Sequence, residues 1–169
     1  EATRNSFQFR VQGKLKGADI FLDEASVTAT ENIVMAASLA EGRTIIMNAA
    51  SEPHIQDLCR LLNAMGADIE GIGTNRLTIE GANKLHGTDF TLGPDYIEVG
   101  SLIVLAAVTG GALTIKDARP HEHRATQIAF GRLGIDFHGS ADGKDIIVPG
   151  NQELKVRSDL LGAIPKIED

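Results

Sequence analysis

Two stretches of this chain, SVTATENIVMAASLAEGRTIIMNAASEP at residues 26–53 and DYIEVGSLIVLAAVTGGALTIKDARP at residues 95–120, follow one plan. Each contains an apolar run of helix length followed by a glycine, Gly42 or Gly111, and then a β-type segment and a proline-marked helix start. The two glycines lie 69 positions apart. Such a repeat predicts two copies of one supersecondary unit.

The similarity continues beyond the prolines. A second, amphipathic helix is predicted to end at Gly66 in the first copy and at Gly134 in the second, where glycine fits the left-handed position after a helix. A hairpin then closes each copy, at Gly81 and Gly150. With a strand ahead of its first helix, each unit reads βαβαββ around a small mixed sheet. The predicted fold class is therefore α/β, with two βαβαββ units.

The first helix of each unit is apolar nearly all round, which predicts that it is buried on all sides. The second helices carry apolar stripes at Leu58, Leu61, Leu62 and Met65, and at Ala125, Ile128, Ala129 and Leu133. Residues 1–92 and 93–169 form the two predicted units, with a hinge near 92–94. Two strands are expected within Phe7–Asp23 and a strand-like piece near Leu154–Arg157.

Composition narrows the function classes. The chain has 169 residues and a net charge of −7, from 16 Lys and Arg against 23 Asp and Glu. This balance argues against binding to a nucleic-acid backbone or an anionic membrane, and the scarcity of aromatics, 4% with no Trp, against base stacking. No apolar run approaches the roughly 20 residues that span a bilayer. The single cysteine, Cys59, favours a reducing cytosol.

Few side chains offer catalytic chemistry. Cys59 is expected to be a buried structural thiol, because it lies mid-helix among leucines. The segment 121–123, His-Glu-His, is expected to be a solvated helix start, since histidines two apart on a helix point to different faces and no third metal ligand is near. Thr28 with Glu31, and Asp95 with Glu98, have the spacing of helix capping boxes.

The motifs taken together resemble a known family. The chain is similar to the UDP-N-acetylglucosamine enolpyruvyl transferases of peptidoglycan synthesis over essentially its whole length. The matching stretches are residues 26–32, 39–42, 48–53, 62–67, 78–81, 94–100 and 162–169. The resemblance implies the inside-out α/β repeat fold of that family, in which βαβαββ units are arranged in two lobes. This chain matches the last unit of one lobe and the first unit of the other, as a central fragment.

The resemblance also implies an activity for the intact protein: transfer of enolpyruvate from phosphoenolpyruvate to the 3′-hydroxyl of UDP-N-acetylglucosamine, with release of phosphate. The family uses no metal or organic cofactor. Its acid cysteine, its phosphoenolpyruvate-binding residues and its general-base Asp match nothing in this chain. We therefore expect no catalytic residue here and no turnover by the chain alone.

One binding segment carries over by the resemblance. The UDP-sugar is expected to touch Glu24, Ala25, Ser26, Val27 and Thr28, a turn that leads into a helix N-terminus. Free N–H groups there favour an anion, although a capped helix start is the purely structural alternative. Many relatives have a basic residue in place of Glu24 and glycine in place of Thr28.

Two other functions stay open. The chain can belong to the related shikimate-pathway enolpyruvyl transferases, or it can be a non-catalytic binding or assembly module of the same fold. The implied partners are small molecules, UDP-N-acetylglucosamine and phosphoenolpyruvate, in the cytoplasm, with no nucleic acid and no membrane. Self-association through the apolar first helices is also expected, because the fragment lacks the helices that pack against them in a whole lobe.

Overall fold

The computed structural model describes residues 2–3, 6–8 and 10–156. The chain divides into two units, Glu1–Leu92 and Gly93–Asp169. None of the helices within the described residues is long and apolar enough to cross a membrane.

The first unit is built on a mixed four-stranded sheet, as predicted. Its elements are β1 (Ala2–Thr3), β2 (Ser6–Phe7), β3 (Asp19–Phe21), α1 (Val27–Ala37), β4 (Arg43–Met47), α2 (Pro53–Ala64), β5 (Asp68–Glu70) and β6 (Arg76–Glu80). The sheet order is β3-β4-β6-β5. Only β3 and β4 are parallel, and a parallel pair needs a crossover element, here α1. The loop from β3 into α1 therefore lies at one edge of the sheet.

The second unit repeats this order in a shorter form. It consists of α3 (Tyr96–Val108), β7 (Leu113–Ile115), a 3₁₀ helix (Pro120–His123), α4 (Arg124–Gly131), β8 (His138–Gly139) and β9 (Ile146–Val148). Its sheet, β7-β9-β8, is antiparallel rather than mixed. The strand predicted ahead of the first helix is not found among the described residues of this unit, so its order there is αβαββ. The single amphipathic helix predicted after Pro120 is thus a 3₁₀ turn followed by a short α-helix.

Each unit has its own apolar core. In the first, Val34 of α1 and Cys59 of α2 pack with the inward-facing residues of β4 and β6, such as Ile46 and Leu77. In the second, Ile103 of α3 packs with residues that include Ala118, Phe137, Ile146 and Val148. Full burial of one such aliphatic side chain stabilises the fold by roughly 1.5–3 kcal/mol.

The expectation that both first helices are buried on all sides is wrong for this chain. Met35 and Leu39, at and beyond the end of α1, are about half exposed, and Ile97 of α3 is 69% exposed. Leu105 and Val108, also in α3, are more than half exposed. Within the described residues, the sheet and the helix that pack in each unit's core do not cover the whole surface of the first helix, so one apolar face stays exposed.

The second helices also differ from the predicted stripes. In α2 the deepest side chains are Ile55, Cys59 and Leu62, and in α4 Ile128 is 50% exposed. Because α4 is short, the core is completed instead by Phe137 and by other residues that follow the helix.

Backbone turns confirm the repeat. Gly66 and Gly134 both adopt the predicted left-handed conformation, with φ of 98° and 80°. Asn48 and Asp117, 69 positions apart at the ends of the matching strands, are also left-handed, with φ of 57° and 49°. Asparagine and aspartate tolerate this region better than other non-glycine residues.

The flanking segments differ from the prediction. Within Phe7–Asp23, the described residues form one strand, β3, and the last residue of β2. No strand forms at residues 151–156. Arg157 and the motif at 162–169 lie outside the described residues.

Candidate functional site

The segment Glu24–Thr28 leads from β3 into α1. Glu24, Ala25 and Thr28 are exposed, and Ser26 and Val27 are partly buried. The helix begins at Val27 with Ser26 as its N-cap, because the Ser26 hydroxyl accepts a hydrogen bond from the Ala29 N–H at 3.3 Å. The predicted cap at Thr28 is therefore wrong by two residues.

The α1 N-terminus has backbone donors left over. The Ser26 N–H donates to the Glu24 carbonyl at 2.8 Å. Within the part of the chain that the structure describes, the N–H groups of Val27 and Thr28 have no acceptor. The first N–H groups of a helix have no intrahelical partner and carry the positive end of its dipole. Such donors can bind an anionic oxygen.

The side chains of the segment have different roles. Val27 packs against the core of the first unit, so its contribution to a ligand is limited to its backbone. The exposed Thr28 hydroxyl is available to a ligand, and the Thr28 carbonyl accepts a hydrogen bond from Asn32 at 2.8 Å. Glu24 is exposed and forms no ion pair among the described residues. Its carboxylate opposes binding of an anion at the neighbouring helix end.

Two residues that sequence reasoning did not single out hold this segment in place. Thr30 is fully buried, and its hydroxyl donates to the Ser26 carbonyl at 2.8 Å and accepts from the Ala50 N–H at 3.0 Å. The Asn48 amide donates to the Leu22 carbonyl at 3.0 Å. Both belong to motifs quoted above, but the Thr30–Ala50 bond joins residues 20 positions apart and the Asn48–Leu22 bond joins residues 26 apart. No local pattern reveals such bonds.

Cys59 is a buried structural thiol, as predicted. Its side chain is fully inaccessible within the core of the first unit. Burial raises the pKa of the thiol to about 11, with a small opposing effect from the nearby Arg60 charge. The thiolate, which is the nucleophilic form, is therefore scarce at neutral pH.

Asp95 caps α3, as predicted. Its carboxylate accepts hydrogen bonds from the N–H groups of Ile97 at 2.9 Å and Glu98 at 3.0 Å. This explains the spacing of Asp95 and Glu98 without an acid–base role.

The segment 121–123 is only partly the solvated helix start that was expected. His121 is exposed, but His123 is 1% exposed and its ring stacks on Tyr96, with centroids 4.9 Å apart. The Tyr96 hydroxyl is 2.9 Å from that of Thr126. His123 thus belongs to the packed interior of the second unit. A histidine next to a proline-marked turn gives no sequence signal for this.

The His123 ring lacks ordinary hydrogen bonds. Neither ring nitrogen has a partner of good geometry, although the Ala118 carbonyl lies near enough to favour the protonated ring slightly. Burial lowers the pKa of His123, against the opposing effect of the Glu122 carboxylate. The uncharged form of the His123 ring is therefore favoured. In the described ranges no three His, Cys, Asp or Glu side chains are grouped as metal ligands.

Comparisons with known proteins give a consistent result. A family model described as EPSP synthase (3-phosphoshikimate 1-carboxyvinyltransferase) matches residues 1–164. A Treponema denticola protein named UDP-N-acetylglucosamine 1-carboxyvinyltransferase is 59% identical over 167 residues, 99% of this chain and 38% of that protein. A Borreliella burgdorferi protein of the same name is 60% identical over 92% of this chain and 36% of its own length. This chain therefore spans little more than a third of these curated relatives.

Solved structures agree on the fold. The enolpyruvyl transferase NikO from Streptomyces tendae has a TM-score of 0.64 at 22% identity, over 80% of this chain and 35% of that one. EPSP synthase from Acinetobacter baumannii has a TM-score of 0.56 at 28% identity, over 84% of this chain and 34% of that one. The predicted α/β repeat fold is confirmed by these similarities.

Proposed function

Because this chain belongs to the EPSP synthase family of 1-carboxyvinyltransferases, we propose that it is part of a UDP-N-acetylglucosamine 1-carboxyvinyltransferase of peptidoglycan synthesis. The observation that carries this proposal is the 59% identity to the Treponema denticola protein of that name over 99% of the chain. The resemblance gives the intact enzyme phosphoenolpyruvate as its donor substrate.

The reaction is an addition followed by an elimination. The 3′-hydroxyl of the sugar loses its proton to a base as its oxygen bonds to C2 of phosphoenolpyruvate, while C3 gains a proton from an acid. Phosphate then leaves C2 and C3 loses a proton, which restores the double bond. These steps need an acid and a base, and by the resemblance both lie outside this chain. The chain supplies a wall of the nucleotide-sugar site and the connection between the two lobes, with residues 1–92 in one lobe and 93–169 in the other.

The contact with substrate is proposed at Glu24, Ala25, Ser26, Val27 and Thr28. Its support is the unpaired N–H groups of Val27 and Thr28 at the start of α1, which suit a diphosphate oxygen. The hydroxyls of Ser26 and Thr28 add further donors. The buried Thr30 side chain stabilises the segment through its hydrogen bond to the Ser26 carbonyl.

An amide-resolved NMR titration of the 169-residue chain with UDP-N-acetylglucosamine tests this contact. We expect saturable shifts concentrated at residues 24–28. UMP and N-acetylglucosamine added separately serve as controls for the diphosphate. A dispersed spectrum that shows no shifts at this segment would contradict the proposed site.

Glu24 gives the titration a sharper form. Near a protein surface, replacing the repulsion between two like charges about 4–5 Å apart by the attraction between opposite charges changes the binding free energy by roughly 1–2 kcal/mol. Glu24→Lys is therefore expected to tighten binding by about 5–30-fold. Glu41→Lys makes the same change in net charge beyond the other end of α1, in the turn before β4, where Glu41 is also exposed, and it should leave the affinity within about twofold. Equal effects of the two variants would mean that only net charge matters.

A second candidate exists for the acceptor substrate. The family model carries the name of 3-phosphoshikimate 1-carboxyvinyltransferase, so a shikimate-pathway acceptor is the second candidate. The higher identity of the sugar-nucleotide relatives, 59% against 28% for the EPSP synthase structure, favours the first. Competition between the two acceptors in the full-length protein separates them.

The chain alone is expected to be inactive. Measurable phosphate release from phosphoenolpyruvate and the sugar nucleotide by the 169-residue chain would overturn this. If a full-length protein also bound ligand without releasing phosphate, the non-catalytic module would be the correct interpretation.

Two further properties follow from the proposal. The half-exposed apolar faces of α1 and α3 favour self-association of the isolated chain, which sedimentation velocity would measure. A compact monomer over a wide concentration range would contradict this self-association.

A cytoplasmic location is supported by the presence of only one cysteine, Cys59, which permits no internal disulfide.

A further inference from the structure

The second unit contains a cavity of about 430 Å³ that the proposed function does not use. Its lining comes from the 3₁₀ helix, from α4 and from the segment that enters β8. The residues that matter below are Pro120, His121, Arg124, Gln127, Phe137 and His138. Its volume lies within the range of small-molecule sites, roughly 300–1,000 Å³.

The charge of the lining is opposite to that of the chain. The net charge is −7, yet the titratable lining residues are Arg124, His121 and His138, and no carboxylate lines the cavity. Glu122, which follows the lining residue His121, pairs with Arg119 at 3.2 Å and lies 3.9 Å from His121. The lining therefore favours an anionic ligand.

Arg124 is held by a neutral side chain and pairs with no carboxylate among the described residues. Its Nη1 donates to the Gln127 Oε1 at 2.9 Å, and the Gln127 Nε2 donates to the Phe137 carbonyl at 3.2 Å. Three other arginines, Arg43, Arg60 and Arg119, pair with carboxylates. Arg124, like Arg10, has a glutamine as its partner.

Most donors of the Arg124 guanidinium remain available. Its Nη2 and Nε have no acceptor within the described part of the chain. A guanidinium fork can donate two parallel hydrogen bonds to a phosphate. The link through Gln127 to the backbone of Phe137 reduces the side-chain entropy that such binding costs.

The apolar part of the lining comes from Pro120 and from the small exposed part of Phe137. Phe137 is 6% exposed, because most of its side chain belongs to the core of the second unit. We propose that this cavity binds a small aromatic phosphate monoester. Its phosphate is held by Arg124, with His121 and His138 as further donors, and its ring lies against Phe137 and Pro120.

Phenyl phosphate is the probe for an NMR titration of the 169-residue chain. We expect saturable shifts at residues 120–139 and none at 24–28, which separates this site from the proposed substrate contact. Inorganic phosphate and phenol, each of which carries half of the proposed recognition, are expected to bind more weakly. Equal affinity for phosphate and phenyl phosphate would overturn the role of the apolar surface.

Arg124→Gln removes the charge from an exposed side chain, so the fold is expected to persist. Affinity for phenyl phosphate should fall about tenfold or more. The matched control is Arg132→Gln, at the other end of α4 and also exposed, for which the affinity should change less than about twofold. Equal losses in both variants, or none in Arg124→Gln, would overturn the proposal.

Discussion

Thr30→Val tests the contact that fixes the candidate site. The substitution keeps the shape of the buried side chain but removes its hydroxyl, and with it two hydrogen bonds. The Ser26 carbonyl keeps the bond from the Thr30 N–H at 3.0 Å. The Ala50 N–H, on a buried residue, loses its acceptor. A buried donor left without a partner costs about 1–3 kcal/mol, so the free energy of unfolding of the first unit should fall by about that amount.

Urea denaturation followed by circular dichroism measures this loss, and amide exchange at Ala50 locates it. Thr30→Ser keeps the hydroxyl and should retain the protection of Ala50. Thr28→Val is the matched control, since the exposed Thr28 hydroxyl makes no hydrogen bond among the described residues, and it should change stability by less than about 0.5 kcal/mol. If Thr30→Val changed the free energy of unfolding no more than Thr28→Val and left the Ala50 amide protected, the proposed role of the Thr30 hydroxyl in positioning the start of α1 would be wrong.

Three further predictions concern the second unit. Because burial lowers the pKa of His123, the unfolded state binds the proton more readily, and stability should fall as pH drops below about 6.5; urea titrations at several pH values measure this, and His123→Phe should lose that component. Asp95→Ala removes the α3 cap and should cost about 0.5–2 kcal/mol, read by thermal unfolding, and an unchanged midpoint would contradict the cap. Gly134→Ala should destabilise the chain far more than Gly143→Ala, although both glycines have left-handed backbones. A Cβ at Gly134 would lie 2.7 Å from the backbone nitrogen of Lys155, while a Cβ at Gly143 would have no atom within 4 Å. Similar urea midpoints for the two variants would refute the steric argument.

The order of elements was predictable because each has a local signal. Asp95 caps α3 at the expected spacing, and Gly66 and Gly134, in the turns that follow α2 and α4, have the expected left-handed conformation. The cap of α1 was misplaced because Ser26 and Thr28 are both good capping residues. The choice between them depends on Thr30, which binds the Ser26 carbonyl and the distant Ala50.

Burial was harder to predict than secondary structure. An apolar helix such as α3 gives no sequence signal for which face will be covered, and Ile97 is exposed while Ile103 is buried. His123 was misplaced for the opposite reason, since a polar residue was expected in solvent and instead stacks on Tyr96. In both cases the outcome depends on neighbours that are distant in sequence.

The composition of the two cores provides a natural pair of reporters. The chain has one cysteine, one tyrosine and no tryptophan. Cys59 is sealed in the first unit, while Tyr96 lies in the second, stacked on His123. The rate of Cys59 labelling by a thiol reagent therefore reports the opening of the first unit, and the intrinsic emission of Tyr96 reports the unfolding of the second. The wild-type chain can thus show directly whether its two repeats unfold together or one at a time.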